Sequence, residues 1–313
     1  MTQRSKARLI ENFWGYLFIL PNLIGFLVFT LGGVVFSVGM SFTDWNLLRG
    51  VDKAKFVGLA NYTRLFTASD FWISLRNNLF LLLAIPISIM LSVVIAALLH
   101  QKPAHRRPYA QKLSKWGRAG MQALYFLPYI TNVVAVSTVW RALFHPSEGP
   151  INMFLKWLGV PGDSLPGWLS SSKWFLVAIM IIVIWQNLGY YILMYSAGLQ
   201  SISRDYYEAV AVDGGNAYHK FRYITLPLLA PTTFVVSVLG VISSLQMWLI
   251  VQALTPNSRG FGTASYTLSY YIYRSSFIDY RSGYAAALSL ILCAITLVIT
   301  LIQWAGQKKW DYT

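Results

Sequence analysis

Side chains able to do chemistry on their own are few in this chain of 313 residues, and they stand apart from one another. The four histidines, His100, His105, His145 and His219, are scattered, and no H-E-x-x-H occurs. The single Cys293 excludes an internal disulfide and a thiolate-held metal cluster. A phosphate-cradling G-x-x-x-x-G-K-[ST] is missing as well, so no nucleotide site of that kind is encoded. What remains is one compact run, Asp205 and then Glu208-Ala209-Val210-Ala211-Val212-Asp213-Gly214-Gly215. Its chemistry is docking rather than catalysis. Asp205 and Glu208 stand at the spacing of a capping box, and the two glycines supply a C-terminal stop, which predicts a helix of about two turns. Asn216 then caps a second short helix through Phe221, and Thr225 with Pro227 opens the next element, since proline is tolerated in a first turn. The small apolar residues Ala209, Val210, Ala211 and Val212 cannot bury themselves in so short a helix. They suit a groove in a partner protein, or the surface of the chain's own helices.

The elements that must hold this elbow are long and apolar. The chain is 56% hydrophobic and only 12% charged, and apolar windows predict an all-α polytopic membrane protein with six spans, near 14–37, 77–99, 121–140, 174–197, 226–252 and 284–305. The first run, Trp14 to Ser37, is too long for the core of a signal peptide and is read as a retained helix. A cytoplasmic segment over 1–13, a membrane domain over 14–305 holding the loop 198–225, and a cytoplasmic tail over 306–313 follow. The net charge of +14 comes from residues that flank the spans rather than from a nucleic-acid surface. With both termini inside, the inner segments carry about twice the Lys/Arg density of the outer loops, as the positive-inside rule requires. Lys102, Arg106, Arg107, Lys112, Lys115 and Arg118 contribute most and suit lipid headgroups. The proline-rich outer loop from Arg141 to Lys173 predicts a short interfacial helix over Asn152 to Leu158, with Trp157, Trp168 and Trp174 at the water–lipid boundary.

The six predicted spans hold no Asp, Glu, Lys, Arg or His. A proton-coupled carrier normally needs such a group, although sodium held by carbonyls of broken helices keeps ion coupling, or a facilitator, open as an alternative. Amides, hydroxyls and aromatic faces can satisfy a neutral, hydroxyl-rich solute without burying unpaired charge. Gln186, Asn187, Tyr190 and Tyr191 in the fourth span, with Ser243, Ser244, Gln246 and Trp248 midway along the fifth, are the candidates. Bonding between neighbouring helices is the other use of such residues.

The string Tyr207-Glu208-Ala209-x-Ala211-x-Asp213-Gly214, then Phe221 and Ile224-Thr225-Leu226-Pro227, resembles the E-A-A loop of ABC importer permeases of the carbohydrate-uptake branch, which includes maltose and glycerol-phosphate permeases. Further pieces occur in the family's order: Phe18-x-x-Pro21, Ser41-Phe42-Thr43-Asp44-Trp45, Phe56-Val57-Gly58-Leu59-x-Asn61-Tyr62, Phe71-Trp72-x-x-Leu75-x-Asn77-Asn78, Tyr125-Phe126-Leu127-Pro128 and Gly198-Leu199-Gln200-Ser201-Ile202. Val210 and Ser203 depart from the usual Ala and Pro, and Gly33 stands at a common proline position. The resemblance implies a type I importer permease fold in the bacterial inner membrane. It implies a second homologous permease, two cytoplasmic ATPase subunits that carry ATP and magnesium, and an extracytoplasmic sugar-binding protein as partners. It assigns Glu208, Ala209, Asp213 and Gly214 to the contact with the ATPase, and no cofactor to this chain.

Overall fold

A computed structural model describes residues 3–100, 117, 120, 124–255 and 265–307. The basic residues from Lys102 to Lys115, with Arg118, lie outside the described residues. Among those described, the chain is almost wholly helical, and a lone bridge between Thr43 and Phe56 is its only extended pairing.

Four helices are long and apolar enough to cross a membrane: Asn12–Ser41, Ser69–Leu99, Ser172–Ser201 and Ser282–Gln307. They contain the first, second, fourth and sixth predicted spans. The first is not a uniform α-helix, for a π-helical turn over Phe26–Leu31 interrupts it. The third span is interrupted within its described residues. Helix over 124–130 stops at Thr131, and Asn132 accepts the N–H of Val134 to start a fresh helix, Val133–Leu143. The fifth is a bent pair, Ala217–Leu228 and Ala230–Leu245 at 61°. It ends at Leu245 instead of running to 252, and a separate helix follows at Leu249–Leu254.

Two compact units make up the chain, residues 1–67 with 272–291, and residues 68–271 with 292–313. In the first unit, several sequence motifs bind one another. Asn61 Nδ2 donates to the carbonyls of Ser41 and Thr43, both at 2.8 Å. The Ser41 and Tyr62 hydroxyls share a 2.8 Å bond, and the Val57 N–H donates to the Phe42 carbonyl. These bonds close the 42–58 loop at the end of the first span. Gly283 belongs to the same joint, where its N–H donates to the Trp45 carbonyl and a Cβ would run into the Thr43 carbonyl.

The second unit carries the main core. Helix Ala84–His100 packs along Ser172–Ser201, and Val93, Ala96, Tyr191, Ile192, Tyr195, Leu199, Leu229 and Val236 form one buried cluster. Gly198 lets Ser172–Ser201 approach Ala230–Leu245 closely: a Cβ there would lie 2.7 Å from Thr232 Oγ1 and 2.9 Å from Leu229 Cδ2. Small residues at such crossings are the usual means of close packing in lipid, where burial from water supplies no driving force. The loop over 141–173 does form a helix, Pro150–Trp157. Trp168, however, is buried and donates from Nε1 to Asn152 Oδ1 at 2.8 Å, so it anchors the loop internally rather than at a lipid boundary. Asn152 in turn donates to the carbonyls of Pro146 and Pro166, which ties a proline-interrupted backbone to one buried amide.

Candidate functional site

The elbow predicted between the fourth and fifth spans is present. Its first helix is Arg204–Val212. The cap differs in detail from the sequence expectation: Ser203, not Asp205, is the N-cap and accepts the Asp205 N–H, while its hydroxyl donates to Asp205 Oδ2 at 3.0 Å. Asp205 therefore sits in the first turn, where a carboxylate complements the helix dipole.

The helix ends in a Schellman turn. The Gly215 N–H donates to the Val210 carbonyl at 2.8 Å and the Gly214 N–H to the Ala211 carbonyl at 3.2 Å. Gly214 takes φ +75°, a conformation that costs a side-chain-bearing residue about 1–2 kcal/mol. Gly215 leaves room for Val210, since a Cβ there would strike its Cγ1. Asn216 and His219 then cap each other's backbone in a full capping box. The chain continues through a π-helical turn, Lys220–Thr225, into Leu226–Leu228, so Pro227 lies within a helix begun at Ala217 and not at the start of the next span.

The two faces of Arg204–Val212 differ. Tyr207 and Val210 turn inward and are half-buried, with the Tyr207 hydroxyl 3.1 Å from Thr225 Oγ1. Thr225 is itself buried and donates to the Lys220 carbonyl. The outer face bears Asp205, Glu208, Ala209, Ala211, Val212 and Asp213, all exposed, with Val212 at 87%. Packing on the chain's own helices thus occupies one narrow face and leaves the small apolar residues uncovered within this chain. Replacing Tyr207 by phenylalanine removes the link from the elbow to the π-helical turn at a cost of about 1 kcal/mol. The expected result is normal insertion with several-fold faster amide hydrogen exchange across Arg204–Val212, measured by mass spectrometry on the purified protein.

The second set of candidates lies on the membrane-spanning helices. Gln186, Asn187, Ser243, Ser244, Gln246 and Trp248 come together around one open cavity of about 280 Å³. Val133, Val183, Met247, Leu249 and Ile250 complete its lining, none of them charged. The fifth-span residues do not lie midway along a helix as expected. They cluster at its break, where Gln246 is the C-cap of one helix and Trp248 the N-cap of the next. Ser244 is buried, and its Oγ has no hydrogen-bond partner among the described residues. Tyr190 and Tyr191 stand apart from the lining. Tyr190 stacks on Tyr129 with ring centroids 4.8 Å apart, and Tyr191 belongs to the buried core with its hydroxyl against Gly240. Sequence reasoning passed over Met247 and Val133, which carry no distinctive chemistry and reach the cavity only through the break and the short third helix.

Among the described residues, no group of three or more His, Cys, Asp or Glu could hold a metal ion. Apolar helices long enough to span a membrane, an uncharged cavity of mixed polarity and an outward-facing elbow are the features of a multi-pass membrane protein. The family model for the binding-protein-dependent transport system inner membrane component matches residues 74–310, and this chain belongs to that family. A probable ABC transporter permease protein of Pyrococcus horikoshii is 34% identical over 299 residues, covering 94% of this chain and 96% of its own. The lactose transport system permease protein LacF of Rhizobium radiobacter is 30% identical over 310 residues, 98% of each chain. A similar fold occurs in the crystal structure of a bacterial alginate ABC transporter in complex with an alginate pentasaccharide-bound periplasmic protein. That match has a TM-score of 0.80 at 23% identity and covers 99% of both chains. The chain is a non-catalytic permease subunit of the membrane.

Proposed function

We propose that this chain forms half of the translocation path of an ATP-driven sugar importer, with the elbow at 204–215 as its contact to a cytoplasmic ATPase. The observation that carries this reading is the two-faced helix Arg204–Val212, tied inward by Tyr207 and Val210 and presenting Glu208, Ala209, Val212 and Asp213 outward. A rigid helix with an exposed low-profile face fits a groove, and its capped ends transmit a push instead of absorbing it. A second permease, two ATPase subunits supplying ATP and magnesium chemistry, and an extracytoplasmic binding protein complete the machine. Both termini lie in the cytoplasm, in accord with the density of basic residues between spans.

The cavity supports a reading of the solute class. Its lining offers amides, hydroxyls and an indole face but no charge, which suits an uncharged carbohydrate; lactose is the substrate named for one relative. A charged solute would lose its hydration there without a counter-ion. Uptake of labelled uncharged and acidic sugars into proteoliposomes separates the alternatives. Uptake that needs the ATPase, the binding protein and ATP, and that favours uncharged sugars, supports the proposal. Uptake by the lone chain down or against an ion gradient would establish a secondary carrier instead.

A further inference from the structure

Helix Ala230–Leu245 stops well short of 252, the predicted end of the fifth span, and its last carbonyls lose their helical donors there. In lipid such a break persists only if protein groups take up the freed backbone. The structure shows which groups do so. Asn78 Nδ2 donates to the Ser244 carbonyl at 3.3 Å, Ser269 Oγ to the Leu245 carbonyl at 2.8 Å, and Thr267 Oγ1 to the Met247 carbonyl at 2.9 Å. Asn78 also works in the other direction, since its Oδ1 accepts the Leu268 N–H at 2.7 Å, at the first residue of helix Leu268–Tyr273. Thr267 Oγ1 accepts the Tyr270 N–H of the same helix. Asn78 and Thr267 are completely buried. One amide and two hydroxyls thus replace a helical ladder across the segment that supplies Gln246 and Met247 to the cavity.

We infer that Asn78, Thr267 and Ser269 are positioning residues of the translocation path, a clamp whose hydrogen bonds fix the break at 246–248 and with it the shape of the cavity. The inference rests on the reading of that cavity as the sugar's route. None of the three lines the cavity, and each acts through the backbone it holds. A change at the clamp therefore alters cavity geometry while the elbow and the outer loops stay as they are.

The test uses the assembled importer with Cys293→Ser and a reporter thiol, Gln246→Cys, and follows its rate of reaction with N-ethylmaleimide. Lys156→Cys on the exposed outer helix is the control. Thr267→Val keeps shape but removes the hydroxyl, and freeing the Met247 carbonyl lets the break open. The expected rise at the reporter is about fivefold or more, with the control unchanged and Thr267→Ser restoring the original rate. Ser269→Ala gives a rise of the same sign, and it carries the test if Thr267→Val fails to assemble. A reporter rate that stays within about twofold in an assembled Thr267→Val or Ser269→Ala complex would overturn the clamp. Shielding of the reporter by a panel of uncharged mono- and disaccharides tests the route separately. No shielding alongside a normal clamp response counts against the route, and shielding with an unchanged rate counts against the clamp.

Discussion

Gly214→Asp is expected to abolish uptake while leaving the protein inserted and folded in the membrane. The position has open space around it, so the substitution acts through the backbone: at φ +75° a side chain is strained by about 1–2 kcal/mol. The new carboxylate also sits beside Asp213 at a helix C-terminus, where negative charge opposes the dipole by about 0.3–1 kcal/mol. These costs fall on a nine-residue helix whose stop depends on the Gly214 and Gly215 N–H bonds. The turn opens, the outer face swings, and the groove loses its key. Glu208→Lys reverses a charge on that face without touching the turn, because Glu208 is exposed and not part of the Schellman bonds. Both variants should insert at normal levels and show ATP hydrolysis that no longer responds to loaded binding protein. A response retained in both would remove the elbow from the coupling path.

The second large effect is expected at the cavity, where function and stability should separate. Ser244 Oγ is buried with no partner among the described residues, an arrangement that costs folding free energy. Ser244→Ala should therefore leave thermal stability unchanged or raise it, while Ser243→Ala, at an exposed position of the same lining, lowers uptake of the sugar. Asn187→Leu removes an amide from the same lining. A polar group of the solute left unpaired against this lining costs about 1–3 kcal/mol, so uptake efficiency should fall by roughly tenfold to a hundredfold. Melting of the purified complex and initial uptake rates, measured on the same preparations, give the comparison. A stability loss in Ser244→Ala would mark that serine as part of the packing, and normal uptake by Ser243→Ala and Asn187→Leu would remove the cavity from the sugar's route.

The elbow was legible in the sequence because its signals are local. Glycine at a left-handed position, asparagine at an N-cap and small apolar residues between them act within a few bonds of one another. Ser203 was overlooked as the cap because Asp205 and Glu208 mimic a capping box two residues later, and only the backbone shows which oxygen meets the Asp205 N–H. The break in the fifth span left no trace in hydropathy. Ser243, Ser244 and Gln246 interrupt the apolar run only briefly, and the side chains that take up the carbonyls where the helix stops, at 78, 267 and 269, are far away in sequence. The adjacent pair Asn77-Asn78 in an apolar stretch was the available clue, since two amides there must find partners. Both do: Asn77 donates to the Tyr266 carbonyl, and Asn78 bridges the break. Tyr190 and Tyr191 show the opposite limit. They lie three to five residues beyond Gln186 and Asn187, on nearly the same helix face but about one turn further along the axis, where Tyr129 and the buried core surround them instead of the cavity.

Coupling through the outer face of Arg204–Val212 is tested most directly by cross-linking. In a Cys293→Ser background, Val212→Cys carries a photoactivatable thiol-reactive probe, and the importer is examined in sealed membranes with a known orientation. The prediction is reaction with thiol reagents from the cytoplasmic side only, and a cross-link to the ATPase subunit that changes in yield when ATP binds. Labelling of Val212→Cys from the outer side, or a cytoplasmic thiol that never cross-links to the ATPase in an active complex, would contradict it.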